Sequence, residues 1–293
     1  MRFTEIGQQL RAYRLESGLR AEEIAARLGV SRAALYRYEK GEVIKLDTIQ
    51  RLAELLKISP LSLLGIGVEY YNRPVGFQER ARQAEETADQ ILMIAGPVSY
   101  LTTLDSFDQA LGAAYEESLG QSGTDRPAAR AAADQILGIL AARKRAFGIR
   151  KPNIIAMIPA ADLRTFLTAG IAASIPLPER TRRLCREMAA LEAENIAQMM
   201  DAEPMGLQFG LLPAAAPSGA FMITRARDRA LLMVNPFPTD IHPAAAPGVA
   251  MVTAADEAIA AHQRVAETYW KEALKGSTAA TAVRAMVAEA RAG

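Results

Sequence analysis

Two short helical patterns separated by a glycine turn, within residues 19–42, constrain this chain more than any other feature. The first pattern covers residues 21–28, with Ile24, Ala25 and Leu28 spaced for one apolar face. Gly29 ends it, because glycine adopts the left-handed conformation with little strain. Ser31 is a preferred N-cap for the second pattern, which continues to residue 40. The segment therefore predicts two helices that meet at a tight turn.

Three further helical patterns surround this pair. Residues 4–17 form one before it, and residues 47–56 and 60–64 form two after it. Gly18, Gly41 and Pro60 stand where the neighbouring helices are expected to end or begin. Residues 65–74 read as a connector. The first 66 residues are therefore predicted to be a five-helix domain, followed by a linker at 67–76 and a second domain at 77–293.

The turn Leu-Gly-Val-Ser at residues 28–31 and the ending Tyr-Glu-Lys-Gly-Glu at residues 38–42 resemble the Cro/lambda-repressor-like helix-turn-helix family, also called the xenobiotic-response-element family. The resemblance covers residues 4–64. It implies a compact domain that binds operator DNA, usually as a dimer. A small excess of positive charge in residues 1–58, in a chain of net charge +1, agrees with such a partner.

The resemblance also implies roles for individual residues. The residues expected to read base edges are Arg32, Ala33, Tyr36 and Arg37. Those expected near phosphates are Arg20, Ser31, Lys40 and Lys45. Many members open the first of the two helices with Thr or Ser and then Gln, where this chain has Arg20 and Ala21. The glutamine's DNA contact is therefore missing, and Arg20 could replace it electrostatically. The alternative is that Arg32 and Arg37 form an ordinary solvated helix face.

Residues 77–293 mix helical and strand patterns, so the expected fold class is α+β or α/β. Strands are predicted at 153–158, 206–212, 220–225, 230–235 and 248–252, with Arg227-Asp228 as a hairpin turn. Residues 91–95 could extend a helix or form a buried strand. Helices are predicted at 76–89, 105–119, 128–147, 161–173, 178–200 and 254–274. The Ala-rich residues 276–293 could add a weakly anchored helix.

The sequence offers few residues for catalysis, and no cofactor is expected. It has no phosphate-binding Gly-x-x-x-x-Gly-Lys loop and no Gly-x-Ser-x-Gly motif. One cysteine, Cys185, and two histidines cannot supply a zinc site, and Cys185 is expected to be buried. Glu192 and Glu194 share a helix with several arginines, which is typical of a solvated face. No segment is long and apolar enough for a membrane span, and the single cysteine favours a cytoplasmic protein.

Within residues 206–274, two strands joined by a turn precede an Asn-Pro-Phe-Pro loop, the strand 248–252 and a long helix with Tyr269-Trp270 near its end. This order of elements weakly resembles the end of a phospholipase-D-like effector domain. Catalytic members need a His-x-Lys-x-x-x-x-Asp motif that this chain lacks, so the resemblance implies a binding domain. A ligand pocket is expected near the loop that starts at Asn235-Pro236-Phe237. The candidate ligand contacts are Arg225, Arg227, Phe237 and His242.

The sequence thus predicts a DNA-binding transcription regulator. Its second domain would form a homodimer and bind a small-molecule effector. One alternative is an antitoxin-like protein, whose second domain holds a protein partner. An enzyme with a DNA-binding domain ranks third, because no catalytic motif is present.

Overall fold

The computed structural model describes residues 3–119, 126–213, 220–237 and 241–292. Helices come first and a mixed α/β region follows, which confirms the predicted fold class. The helices in this part of the chain are α1 (Phe3–Ser17), α2 (Ala21–Leu28), α3 (Arg32–Glu39), α4 (Leu46–Leu56), α5 (Pro60–Leu63), α6 (Pro74–Thr87), α7 (Asp105–Ser118), α8 (Arg126–Arg150), α9 (Ala160–Ala169), α10 (Glu179–Ala202), α11 (Asp256–Glu272) and α12 (Gly276–Ala292). None of these described helices is apolar over a length that could cross a membrane.

The first five helices pack around a common core, at the positions that the periodicity predicts, and this core continues into α6 and residues 231–252. Its central side chains are fully buried, and they come from all five helices: Leu10, Ile24, Leu35, Leu52 and Leu63. Burial of such side chains contributes about 1.5–3 kcal/mol each. The predicted five-helix arrangement is confirmed.

The strands described form one mixed sheet. They are β1 (Val68–Tyr71), β2 (Gln90–Ile94), β3 (Asn153–Pro159), β4 (Leu207–Leu212), β5 (Ala220–Ala226), β6 (Arg229–Asn235) and β7 (Ala250–Thr253). The order across the sheet is β1-β7-β6-β5-β2-β3-β4. Neighbours within β2-β3-β4 are parallel, and the other neighbours are antiparallel. Ala226 pairs with Arg229, so Arg227 and Asp228 form the predicted hairpin turn.

Helices cover both faces of this sheet. Alternate residues of β2 point to opposite faces, as a strand requires. Ile91 and Met93 join a core with α7, α8, α9, α10 and α12, whereas Ile94 packs with α11 on the other face. The periodicity of residues 91–95 fitted either a helix or a buried strand. Most of these residues belong to the buried strand β2.

Two segments differ from expectation. Residues 67–76, predicted to be a linker, contain β1 and the first residues of α6, and β1 pairs along its length with β7. The segment is ordered because the sheet supplies hydrogen-bond partners that lie far away in sequence. The C-terminal helix α12 is firmly packed rather than weakly anchored, since Ala279, Ala280 and Val283 are fully buried in a core shared with α10. Its small alanines allow close helix packing.

Candidate nucleic-acid interface and ligand pocket

Local hydrogen bonds fix the turn between α2 and α3. Gly29 has a φ of 71°, and its N–H donates to the carbonyl of Ala26. The Ser31 hydroxyl accepts from the N–H of Ala34 at 3.1 Å and caps α3. Arg51 of α4 donates to the carbonyl of Leu28 at 3.0 Å, which satisfies an end group of α2. These hydrogen bonds to backbone groups on both sides of the turn fix the orientation of α3 relative to α2.

Helix α1 packs against the inner side of α3 and fixes its position. A Cβ atom on Gly7 would lie 2.4 Å from the carbonyl oxygen of Tyr38, so only glycine permits this approach. Arg14 donates from Nε and Nη2 to the two carboxylate oxygens of the buried Glu39. A bidentate pair of this kind fixes geometry as well as adding energy. The outer face of α3 is thus presented by a rigid support.

The outer face of α3 exposes two guanidinium groups. Arg32 lies 2.7 Å from Glu22 and donates to the Tyr36 hydroxyl at 3.2 Å. Arg37 lies 2.7 Å from Glu42, and its side chain is 62% exposed. Exposed ion pairs contribute about 0–1 kcal/mol, so either arginine can exchange its carboxylate for another acceptor at small cost. The sequence did not predict Glu22 and Glu42 as ion-pair partners of these arginines. Its only signal for the two ion pairs is that acidic and basic residues alternate at these positions.

The remaining DNA-contact candidates lie on α3 and at the ends of α2, α3 and α4. Arg20, Ser31, Ala33, Lys40 and Lys45 are all exposed. The oxygen of Ser31 accepts from the helix N-terminus, which leaves its hydrogen able to donate to an anion. Tyr36 is half-buried, and the guanidinium carbons of Arg32 and Arg14 lie 5.3 and 6.0 Å from its ring centre. The structure therefore leaves the predicted residues exposed, except for Tyr36, which is more enclosed than its neighbours on α3.

A cavity of about 550 Å³ lies between the sheet and the helices α6, α8 and α9. Its walls are mainly apolar, and they include five phenylalanines: Phe77, Phe107, Phe166, Phe221 and Phe237. Met93, Met222 and Met233 add flexible side chains to the sheet side. This volume and lining are typical of sites for small organic molecules.

Few polar groups line this cavity, and they differ in whether they have hydrogen-bond or ion-pair partners. Arg143 is buried and donates to both carboxylate oxygens of Glu85, at 2.8 and 2.6 Å, and to Gln78. Asp162 also lines the cavity, but its side chain is exposed to solvent. Within the described residues, no hydrogen bond or ion pair reaches its carboxylate, and partial burial raises the pKa of this group. The pocket wall thus combines a buried arginine that is paired with an exposed acid that is not.

Of the four ligand contacts predicted from sequence, only Phe237 lies on this cavity. Its ring centre is 6.2 Å from that of Phe77. Arg225 and Arg227 lie at the opposite end of the β5–β6 hairpin from Phe221, and four to six residues of strand span roughly 13–20 Å. Arg225 donates instead to Gln263. The sequence missed Asp162 and Arg143 because α8 and α9 reach the pocket only through the tertiary fold.

His242 lies beside Tyr115, away from the cavity. The two ring centres are 5.4 Å apart, and Nδ1 of His242 accepts from the N–H of Ala244. Burial lowers the pKa of His242. His242 therefore does not line this cavity with Phe237, because its ring packs on Tyr115 of α7, and its role as a ligand contact stays a prediction.

Glu192 corrects another expectation, since it is 1% exposed rather than part of a solvated face. One carboxylate oxygen accepts from the N–H of Leu104 at 2.8 Å, and the other has no partner among the described residues. Burial raises the pKa of Glu192 to about 7, against the opposing effects of Leu104 and Lys144. The segment leading into α7 covers this side of α10. Cys185, which lies on the same helix, is buried as predicted.

A buried polar cluster joins α1 to the α/β region. Glu69 of β1 accepts from Nε and Nη2 of Arg80 at 2.8 and 3.0 Å, from Gln9 at 2.6 Å and from the Tyr71 hydroxyl at 2.8 Å. Burial opposes the charge on Glu69, but Arg80 and the other donors hold its pKa below the ordinary value. The ring of Tyr71 stacks on Tyr13 of α1 at 5.2 Å. The five-helix domain is therefore fastened to the rest of the chain by α6 and β1.

Comparison with known proteins agrees with the geometry at the N-terminus. Residues 5–63 match a family model described as a helix-turn-helix domain. This part of the chain is similar to that domain, and α2 and α3 form its two central helices. The match covers about a fifth of the chain, and no curated protein matches.

Among solved structures, the chain is similar to the archaeal chromatin protein TrmBL2, whose structure is described as showing a novel mode of DNA binding. The identity is 10% and the TM-score 0.33, with 78% of this chain covered. The chain spans 62% of the length of that protein. A likeness at this level does not define a common fold for the α/β region.

Proposed function

We propose that this protein is a sequence-specific transcription regulator that binds operator DNA through α3 and a small-molecule effector through the cavity. The exposed face of α3, held rigidly by α1 and α2, is the observation that carries the DNA-binding part. The helix-turn-helix match at residues 5–63 supports it. The protein acts as a regulator and not as an enzyme. Operator DNA as the partner favours a cytoplasmic setting.

Helix α3 would enter the major groove with its N-terminal end toward the bases. Arg32, Ala33, Tyr36 and Arg37 would face base edges. An arginine can donate to O6 and N7 of one guanine together, and the methyl of Ala33 can touch a thymine methyl. The phosphate contacts would come from Arg20, Ser31, Lys40 and Lys45. Such contacts supply affinity that falls with salt and carry little sequence information.

Helix α6 would couple the cavity to the DNA-binding domain. Phe77, Gln78 and Ala81 line the cavity. On other faces of the same helix, Gln83 donates to the carbonyl of Gln8 at 2.9 Å, and Arg80 joins the Glu69 cluster. A ligand that favours one position of α6 would therefore change the position of α1 and, through it, of α3. The coupling requires different affinities for the two arrangements.

A homodimer is part of the proposal, because a second half-site raises specificity for an operator. Residues 77–293 are proposed to supply both the dimer interface and the effector site. The resemblance of residues 206–274 to phospholipase-D-like domains stays a prediction that no comparison supports. The antitoxin-like alternative has no specific observation in its favour.

The substitution Arg37→Ala tests DNA reading. Genomic fragments bound by the full chain are first selected to define an operator, and anisotropy then compares that duplex with a scrambled one. We expect Arg37→Ala to weaken operator binding by about 1–3 kcal/mol and to leave scrambled binding almost unchanged. Arg183→Ala, which removes an equal charge from an exposed site on α10, serves as the control. Unchanged operator affinity in Arg37→Ala would refute the role of this residue.

A further inference from the structure

The strongest unassigned feature is the chemistry of the cavity wall, which bears on the ligand that the proposed effector site would accept. We propose that the cavity selects an apolar molecule carrying a protonated amine, with the carboxylate of Asp162 as its counter-charge. This inference rests on the proposed function of the cavity as an effector site.

The shape and lining of the cavity specify the apolar part of the ligand. A volume of about 550 Å³ accommodates a molecule of drug-like size. The five phenylalanine rings and three methionines leave most of the wall without hydrogen-bonding groups. Aromatic rings also attract cations over their faces, so this lining tolerates a positive group better than an aliphatic one would. A sugar or nucleotide, with many hydroxyl or phosphate oxygens, would leave its polar groups unsatisfied here.

The charged groups on the cavity wall indicate which charge the polar part of the ligand carries. The Arg143 guanidinium already faces Glu85 through two hydrogen bonds and Gln78 through a third. An anionic ligand would have to compete with the carboxylate of Glu85, which is itself buried. Asp162 has no such partner in the described part of the chain, and its pKa is raised by burial. Asp162 is exposed to solvent, so the charged group at the cavity that is available to pair with a ligand is a solvated carboxylate.

The residues of α9 that line the cavity favour a ligand group that donates hydrogen bonds. Asp162, Thr165 and Phe166 all line the cavity, at positions i, i+3 and i+4 of one helix face. The Thr165 hydroxyl donates its hydrogen to the carbonyl of Ala161 at 3.1 Å, so its oxygen is left to accept. This face thus offers a carboxylate, a hydroxyl oxygen and a ring. A primary ammonium group can donate to both oxygens while its carbon chain lies against Phe166.

Asp162 could alternatively serve only the stability of α9, since an acid in the first turn interacts favourably with the helix dipole. The two roles differ in ligand selectivity. Three probes with one carbon skeleton separate them: 4-phenylbutylamine, 4-phenylbutan-1-ol and 4-phenylbutyrate. Calorimetry on the full chain gives the affinity of each probe at pH 7.

We expect the amine to bind about threefold more tightly than the alcohol, because Asp162 is exposed and its ion pair is weakened by solvent, and the acid to bind more weakly than both. Asp162→Asn should remove the preference for the amine and leave the alcohol affinity within about twofold. Asp256→Asn, which removes an acid from the first turn of α11, should change neither value. Circular dichroism confirms that each variant is folded.

The outcomes separate this inference from the function on which it rests. If the alcohol binds but the amine has no advantage, or if Asp162→Asn keeps that advantage, the amine assignment is overturned and the effector site stands. If none of the three probes binds at millimolar concentration, the effector site and the amine assignment are both overturned. Ala81→Trp, which fills the cavity from α6, should abolish binding of amine and alcohol alike, and binding that persists would place the site elsewhere.

Discussion

Replacing Arg80 by methionine removes one half of the charge pair that fastens the helix-turn-helix domain to the α/β region. Glu69 and Arg80 are each 3% exposed, and two hydrogen bonds of 2.8 and 3.0 Å join them. Methionine keeps the length and apolar stem of the arginine. The carboxylate of Glu69 is then left with Gln9 and Tyr71 as donors and no cation.

The expected loss in the free energy of unfolding is about 3–5 kcal/mol, the usual cost of leaving one member of a buried ion pair without its partner. The loss should depend on pH. Without Arg80, burial raises the pKa of Glu69 above its unfolded value, so the variant gains stability as pH falls and Glu69 takes up a proton. In the wild type the pKa of Glu69 is lowered, so its contribution is present above about pH 4.5 and is lost below it.

Urea denaturation at pH 5.5 and pH 7.5 measures both effects. The deficit of Arg80→Met should be smaller at pH 5.5. Arg145→Met, at an exposed position of α8, should change stability by no more than about 0.5 kcal/mol. The double variant E69Q/R80M removes both charges and keeps an amide for Gln9 and Tyr71, so it should regain at least half of the loss. A deficit below about 1 kcal/mol for Arg80→Met, or one that grows at low pH, would refute the reasoning.

Three further predictions follow from the packing. Gly7→Ala should destabilise the protein by about 1–3 kcal/mol, because its Cβ would meet backbone carbonyls of α3, whereas Gly138→Ala, with open space at its Cβ, should be neutral or stabilising in the same urea assay. The pKa of Glu192 is about 7, so the wild type should lose stability as pH rises through 7, and thermal melts of Glu192→Gln between pH 5.5 and 8.5 should show a flatter profile. Val283→Ala should cost about 1–3 kcal/mol, whereas a loss under 0.5 kcal/mol would mean that α12 is as weakly held as its sequence suggests.

Local patterns in the sequence were sufficient for the N-terminal domain. Gly29, Ser31 and the apolar spacing around Ile24 and Leu35 act within a few residues of one another, so helix, turn and helix could be read directly. The exposed positions of Arg32 and Arg37 follow from the same periodicity. The strands β3 to β7 were also recognisable, because alternation and turn residues are local signals.

The tertiary structure alone decided the contacts between distant segments. β1 contains strand-forming residues, but it is only four residues long and has Glu69 at a buried position, so it shows no apolar alternation. It forms because β7, some 180 residues later, pairs with it. Glu192 looked solvated because its helix carries arginines, and only the cover from the segment before α7 makes it buried. The cavity has the same origin. Asp162, Arg143 and Phe237 lie far apart in the chain, and the sheet and its covering helices bring them to one wall. The sequence by itself determined a helix-turn-helix domain and a mixed α/β region, since these depend on local spacing. Which side chains face the cavity, and how α6 joins it to α1, depended on long-range packing that no local pattern encodes.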